Sequence, residues 1–119
     1  MSDKWLLSDI TVLSLEQATT LPFLTQRLAR DGARVIRVEA PSRGDPNRYV
    51  GRNLLDEEGL ASYFLPNNCG KQAITINLGH PEGRSILHQL IDRLPVDIFA
   101  TNNRPSSYTK LGFDYETIK

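Results

Sequence analysis

The stretch ITVLSLEQATTLPFLTQRLARDGARVIRVE, residues 10–39, predicts a strand, a helix and a second strand in that order. Ile10–Leu15 is mostly apolar and β-branched, as expected of a strand buried on both faces of a parallel sheet. A helix is predicted over Pro22–Asp31, and Gly32 supplies the left-handed residue that closes many helices. Arg34–Glu39 returns to strand character. Together these elements form a βαβ unit, which binds ligands near the loop after its first strand.

The remainder of the chain continues this alternation of strands and helices. Two prolines and a glycine close together make the segment from Ala40 to about Gly59 irregular. Pro81 opens the clearest helix, because its missing N–H is tolerated in the first turn. This helix is predicted to end at Leu94, and Tyr63 and Phe64 are predicted to pack in the core. The other predicted elements are a third strand Gln72–Leu78, a fourth strand Val96–Ala100, and short helices capped by Ser106 and Asp114. This order predicts one α/β domain with an open, mostly parallel sheet.

The charge balance argues against a strongly charged partner. The chain has 14 basic and 14 acidic residues, so no net field favours nucleic acid or an anionic membrane. Seven of the ten arginines lie within residues 27–52, which fits a solvated face, a subunit contact or a phosphate site. Cys69 is the only cysteine, which fits a reducing compartment. Since no signal-peptide pattern or membrane-length apolar run is present, we expect a cytoplasmic location.

Common catalytic motifs are missing from the sequence. It contains no Gly-x-Gly-x-x-Gly, no Walker-type phosphate loop and no Gly-x-Ser-x-Gly. His80 and His88 lack companions at ligand spacing, so we expect no metal site, and no catalytic residue is assigned. Three polar loops follow predicted strands: Thr19–Thr20, Ile76–His80 and Thr101–Pro105. We expect these loops to line one crevice, because the carboxyl ends of parallel strands share one edge of a sheet.

A series of short segments gives this chain a family resemblance. The segments are Ile10-Thr-Val-Leu-Ser-Leu, Pro22-Phe, Asp31-Gly-Ala-Arg-Val-Ile-Arg-Val-Glu-Ala-Pro, Gly44-Asp-Pro, Tyr63-Phe, Asn67-Asn-Cys-Gly-Lys, Ile76-Asn-Leu, Pro81-Glu-Gly, Val96-Asp-Ile, Arg104-Pro and Leu111-Gly-Phe-Asp-Tyr. In order and spacing they resemble the N-terminal part of the class III CoA-transferases, which include formyl-CoA transferase, carnitine CoA-transferase and α-methylacyl-CoA racemase. The resemblance covers residues 8–119, so we interpret residues 1–119 as the N-terminal, incomplete part of a CoA-transferase family III domain.

The resemblance implies both a fold and a chemistry. The fold is a Rossmann-like large domain that binds coenzyme A (CoA) as a substrate, with no tightly bound cofactor, in a dimer of interlocked chains. In the family an aspartate attacks the acyl-CoA thioester, and CoA is then returned to a carboxylic acid. That aspartate lies downstream of Leu111-Gly-Phe-Asp-Tyr, beyond Lys119, so we expect the isolated 119 residues to be inactive.

The resemblance also implies a set of CoA-contacting residues. They are Thr19 and Thr20 after the first strand, Ile76, Asn77, Leu78 and Gly79 after the third strand, Asn102 and Asn103 after the fourth strand, and the basic Lys110. Three sites depart from the family pattern. Thr20-Leu21 replaces a small Ala-Gly pair next to the first loop, Ala40 replaces a position that is often basic, and Asn103 replaces an aromatic residue. Threonine and asparagine also serve as ordinary loop and cap residues, so this alternative stays open.

Two other functions remain open at the level of the sequence. The chain fits a non-catalytic partner subunit that forms a heteromer with a complete family member. It also fits a free-standing flavodoxin-like module that binds a different nucleotide. The apolar residues at the end of the segment from Ala40 to Leu65 predict self-association, because irregular structure there leaves them poorly covered.

Overall fold

Four parallel strands form the centre of the molecule. The computed structural model describes residues 4–119. The strands are β1 Thr11–Leu15, β2 Arg34–Glu39, β3 Gln72–Thr75 and β4 Ile98–Thr101, in the spatial order β3-β2-β1-β4. Every neighbouring pair is parallel, which confirms the predicted α/β class and parallel sheet.

The strand register brings the loops after the strands to one edge of the sheet. Leu15 at the end of β1 pairs with Val38 on one side and with Thr101 on the other. Glu39, at the end of β2, pairs with Thr75 at the end of β3. The four strands therefore end at nearly the same level, and the polar loops that follow them meet at the carboxyl edge.

Helices cover both faces of this sheet. Helix α1, Thr20–Arg30, covers the face that carries Val12 and Val35. Helix α2, Pro81–Arg93, and the short helices α3, Tyr108–Leu111, and α4, Tyr115–Ile118, lie on the other side. The larger core on that side consists of Leu13, Leu15, Ile36, Val38, Ile76, Leu87 and Phe113. Alternate residues of each strand thus enter different cores, as the two-residue period of a strand requires.

Several element boundaries differ from the sequence predictions. Helix α1 begins at Thr20, before Pro22, because the Phe23 amide already bonds to the Thr19 carbonyl. Strand β3 ends at Thr75, whereas the prediction extended it to Leu78. A side-chain turn interrupts it, in which Asn77 Oδ1 accepts the Gly79 N–H at 3.0 Å.

The ends of the remaining elements also show which predicted caps form. Gly32 has φ +103°, so the left-handed residue predicted after α1 is confirmed. Asp114 accepts a hydrogen bond from the Thr117 amide and caps α4 as predicted. Ser106 does not cap α3, because residues 105–107 form a 3-10 turn that leads directly into the helix. Strand β4 begins at Ile98, two residues later than predicted.

The segment between β2 and β3 is irregular, as predicted. It contains 3-10 turns at Pro46–Tyr49 and Leu65–Asn67 and one isolated antiparallel bridge between Asn53 and Ala61. Phe64 is buried, but Tyr63 is 56% exposed, so the prediction of a second packing anchor at Tyr63 is wrong. Five large apolar side chains in this segment are exposed: Tyr49, Val50, Leu54, Leu55 and Tyr63. Among residues 4–119 no helix is long and apolar enough to span a bilayer.

We expect this exposed apolar segment to cause self-association of the chain. Leu54 and Leu55 are 65% and 56% exposed and lie close together, and contiguous apolar surface of this kind usually marks an interface or an aggregation site. The double variant Leu54→Ser/Leu55→Ser should shift the sedimentation profile towards the monomer. Leu6→Ser is the matched control, because Leu6 is exposed outside the segment. A wild-type chain that stays monomeric at high concentration would contradict the prediction.

Candidate functional site

A cleft opens at the carboxyl edge of the sheet, where the loops after the strands converge. Its volume is about 260 Å³. Apolar lining comes from the α2 side: from Leu15 and Val38 near the ends of β1 and β2, and from Ile76 just after β3. Glu16 and Asp45 supply acidic groups from the opposite side. A cleft with apolar lining and a few fixed polar groups is the usual form of a small-molecule site.

Five of the nine residues predicted to contact CoA line this cleft. They are Ile76, Asn77, Leu78, Gly79 and Asn103. The remaining four, Thr19, Thr20, Asn102 and Lys110, lie outside its lining. The structure therefore brings the loops after β3 and β4 together at the cleft, and CoA contact by all nine residues stays a prediction.

The four residues outside the lining have other positions at this edge. Thr19 Oγ1 accepts a hydrogen bond from Asn47 Nδ2 at 3.0 Å, and Thr20 is exposed in the first turn of α1. Both ends of the Asn102 amide bond to the backbone of Gln17. Lys110 is exposed in α3. Thr19 makes no side-chain capping bond to α1, so the first amides of that helix are not satisfied by its cap.

The loop after β3 is held against α2 by a close backbone approach. Gly83 is buried in the first turns of α2, and a Cβ placed on it would lie 1.9 Å from the Asn77 carbonyl oxygen. Only glycine leaves room for this contact. His80 caps the same helix, since its Nδ1 accepts the Glu82 amide at 3.3 Å. The turn that lines the cleft is thus fixed to the start of α2.

A buried network of charged residues lies beneath the cleft on the α1 side. Arg37, 1% exposed, is at its centre: Nη2 donates to Asp45 at 2.7 Å, and Nε lies 3.3 Å from Glu39 Oε1 and 3.8 Å from Glu16 Oε1. Nη1 donates to Asn68 Oδ1. Nε itself has no hydrogen-bond partner among the described residues. Three acidic side chains are therefore arranged around one guanidinium group.

Lys71 and Arg48 complete the charge balance of this network. Lys71 Nζ donates to Glu16 at 2.6 Å, to the Pro22 carbonyl at 2.9 Å and to Asn68 at 3.2 Å, so all three of its protons are used. Arg48 donates two bonds to Glu39, at 2.7 and 2.9 Å. Arg37, Lys71 and the partly exposed Arg48 thus balance three buried carboxylates, and such pairing is how proteins tolerate buried charge.

The electrostatic setting shifts the pKa of Glu39 and of Lys71. Burial raises the pKa of Glu39, but hydrogen bonds and charges from Arg48 and Arg37 outweigh burial, so its pKa lies below the usual value. Burial lowers the pKa of Lys71 below its usual value, and the carboxylate of Glu16 only partly offsets this.

Sequence reasoning missed this network and its role. The sequence prediction placed Arg37 and Arg48 in an arginine cluster suited to solvent, a subunit contact or phosphate. The structure instead uses both in internal ion pairs, and Phe64 packs under them with its ring centre 5.1 and 3.9 Å from their guanidinium carbons. One signal was available: Arg37 lies between the apolar residues Ile36 and Val38 in a predicted strand. A buried arginine must have carboxylate partners.

The same family is found by comparison with known proteins. The family model described as CoA-transferase family III matches residues 7–119. The chain is 39% identical to cinnamoyl-CoA:phenyllactate CoA-transferase of Clostridium sporogenes, over 94% of this chain and 27% of that protein. It is 37% identical to formyl-CoA:oxalate CoA-transferase of Streptomyces coelicolor, over 95% of this chain and 26% of that protein. The chain therefore spans about a quarter of the length of these relatives.

A solved structure supports the same conclusion for the fold. The crystal structure of a CAIB/BAIF family protein from Brucella suis matches with a TM-score of 0.88 at 34% sequence identity. The match covers 98% of this chain and 31% of that chain. On the family model, the relatives and the fold together, this chain belongs to CoA-transferase family III.

Proposed function

We propose that this chain supplies part of the CoA site of a class III CoA-transferase, which as a whole protein moves CoA between an acyl-CoA and a carboxylic acid. The observation that carries the proposal is the cleft at the carboxyl edge, lined by Ile76–Gly79 and Asn103. Open α/β sheets bind their ligands in a crevice at this edge. The strand order β3-β2-β1-β4 corresponds to the first part of a Rossmann-type sheet, which supports a Rossmann-like domain.

The geometry favours the adenosine-diphosphate end of CoA. The turn Asn77–Gly79 presents backbone beside the apolar Ile76, which suits a planar base. Helix α1 begins at Thr20, and the positive end of a helix attracts pyrophosphate. Leu21 is buried and Ala40 carries no charge, so neither adds a contact to a phosphate. We therefore expect the site to bind CoA weakly. We also propose that the protein is cytoplasmic and functions as a dimer or as a heteromer with another family member.

We expect CoA to bind the chain with a dissociation constant in about the millimolar to high-micromolar range, or about −4 to −6 kcal/mol. The reason is that few charged groups at the cleft are free to contact phosphate. Titration with CoA and with 3′,5′-ADP, followed by amide chemical shifts, should move Thr20, Asn77 and Asn102 with both ligands.

Two results would contradict the site, one from that titration and one from a thermal-shift measurement. Shifts confined to residues 43–52 would show that the arginines there bind the phosphates. Thermal stabilisation by FMN or ATP, with none by CoA, would instead favour the flavodoxin-like nucleotide-binding module. Inorganic phosphate at the same ionic strength serves as the control for a general anion effect.

We also expect the isolated 119-residue chain to have no CoA-transferase activity. The family's nucleophilic aspartate lies downstream of the matched segments, and covalent transfer requires an activated nucleophile. The measurement follows exchange of CoA between an acyl-CoA and a free carboxylate, with buffer alone as the reference. Exchange above the buffer rate would refute the expectation.

A second candidate function is that of a non-catalytic partner subunit. The exposed side chains of Tyr49, Val50, Leu54, Leu55 and Tyr63 favour it, because they form apolar surface available to another chain. Mixing the chain with a complete family member and isolating a stable heteromer would support this function. Restored or increased transferase activity of that heteromer would distinguish it from passive association.

A further inference from the structure

The loop after β1 is strained, and side chains from two other loops hold it. Ala18 has φ +60°, a left-handed conformation that is uncommon outside glycine, asparagine and aspartate. Such a conformation persists only where the surrounding structure fixes it. The residues before it, Glu16 and Gln17, line the cleft, so the conformation of Ala18 sets the shape of one wall.

Asp45 holds this loop from the side of β2. Its two carboxylate oxygens each accept the Ala18 N–H at 3.1 Å. One oxygen also accepts the Asn47 N–H at 2.8 Å, and Arg37 Nη2 donates to the other at 2.7 Å. Asp45 is only 2% exposed, so the guanidinium of Arg37 keeps its charge balanced inside the protein.

Asn102 holds the same loop from the side of β4. Its Oδ1 accepts the Gln17 N–H at 3.1 Å, and its Nδ2 donates to the Gln17 carbonyl at 2.9 Å. Both ends of the amide are therefore committed to one backbone unit. Gln17 and Ala18, neighbours in sequence, are thus fixed by side chains that lie 85 and 27 residues away along the chain.

We propose that Asp45, although it also lines the cleft, and Asn102 are positioning residues, which act on ligand binding by holding the Gln17–Ala18 backbone in its ligand-binding conformation. The inference rests on the proposed function of the cleft as a CoA site. It also changes the role of Asn102, which the family resemblance had suggested as a direct contact. Because the loop is fixed before the ligand arrives, binding does not have to supply the free energy of ordering it.

The first test measures the loop without ligand. Asn102 is exposed, so Asn102→Ala should fold, and it should speed hydrogen exchange of the Gln17 amide by about fivefold relative to the core amide of Leu13. Asp45→Asn should do the same for the Ala18 amide. Asn53→Ala is the matched control, because Asn53 is an exposed asparagine with a side-chain bond to the backbone of Glu57. Unchanged exchange at Gln17 in Asn102→Ala would overturn the proposal.

The second test measures CoA affinity in the same variants. Asn102→Ala and Asp45→Asn should each weaken CoA binding about fivefold. The double variant should lose little more than either single variant, because one broken contact already frees the loop. If either residue contacted the ligand directly, the two losses of affinity would multiply, and the double variant would bind CoA about 25-fold more weakly than wild type. That result would overturn the positioning role. Faster hydrogen exchange of the Gln17 or Ala18 amide together with unchanged CoA affinity would also overturn it.

The two tests separate this proposal from the proposed function. If wild-type protein does not bind CoA, the proposed function fails, and the exchange measurement still decides whether Asp45 and Asn102 fix the loop. If Asp45→Asn does not fold, hydrogen exchange and CoA affinity are both measured in Asn102→Ala alone. This variant should fold because the Asn102 side chain lies outside the buried network.

Discussion

Replacing Arg37 with methionine is expected to lower the free energy of unfolding by about 3–5 kcal/mol. The guanidinium is 1% exposed and lies within ion-pair distance of Glu16, Glu39 and Asp45. Methionine fills a similar volume but leaves buried carboxylates facing one cation fewer. Since native domains are stable by only about 5–15 kcal/mol, this loss is a large fraction of the total. Urea denaturation followed by circular dichroism gives the measurement.

Two further variants make the Arg37 result specific. Arg34→Met is the matched control, because Arg34 lies in the same strand, is exposed, and its side chain donates to just the Gln72 side chain among residues 4–119. We expect it to change stability by no more than about 0.5 kcal/mol. Arg37→Lys should recover only part of the loss, because an ammonium group does not reproduce the fork that reaches Asp45 and Asn68 together. Equal effects of Arg37→Met and Arg34→Met would contradict the central role of Arg37.

Replacing Gly83 with alanine is expected to destabilise the protein by about 3 kcal/mol, at the upper end of overpacking effects. Alanine in a helix usually gains up to about 1 kcal/mol over glycine, so intrinsic propensity predicts the opposite sign. The steric term dominates, because the new Cβ would lie 1.9 Å from the Asn77 carbonyl oxygen and 2.7 Å from its carbon. Backbone atoms of a packed turn cannot move aside as a flexible side chain does, and thermal denaturation should show the loss.

The Gly83 variant should also alter the cleft. Displacing Asn77 moves the turn that lines the cleft, so Gly83→Ala should weaken CoA binding even at temperatures where it is folded. Gly79→Ala is the control for stability, because its Cβ would meet only the Asn77 side-chain oxygen, at 3.1 Å. A Gly83→Ala protein as stable as wild type would show that α2 and this turn are not closely packed in solution.

Much of the candidate site was predictable because its loops follow strands. Once the apolar runs define the parallel strands, the loops after them must share one edge, so Ile76–Gly79 and Asn103 meet at the cleft. The role of Asn102 was not predictable in the same way. Its amide points to the backbone of Gln17, and the sequence carries no local sign of that partner. The prediction that Tyr63 is a packing anchor was wrong for a similar reason, because aromatic character does not specify which of two neighbouring residues faces the core.

The order of strands and helices, the parallel sheet and the family could all be predicted from the sequence. These follow from local signals: apolar periodicity, proline and glycine at element ends, and short segments in a fixed order. The buried network of Arg37, Lys71 and three carboxylates, in contrast, becomes visible only in the folded chain. Lys71 and Glu16 are 55 residues apart along the chain but lie 2.6 Å apart in space. From its sequence position alone, a charged residue is predicted to be exposed to solvent. Its ion-pair partner cannot be identified in this way, because the interaction depends on distance in space rather than on position in the sequence.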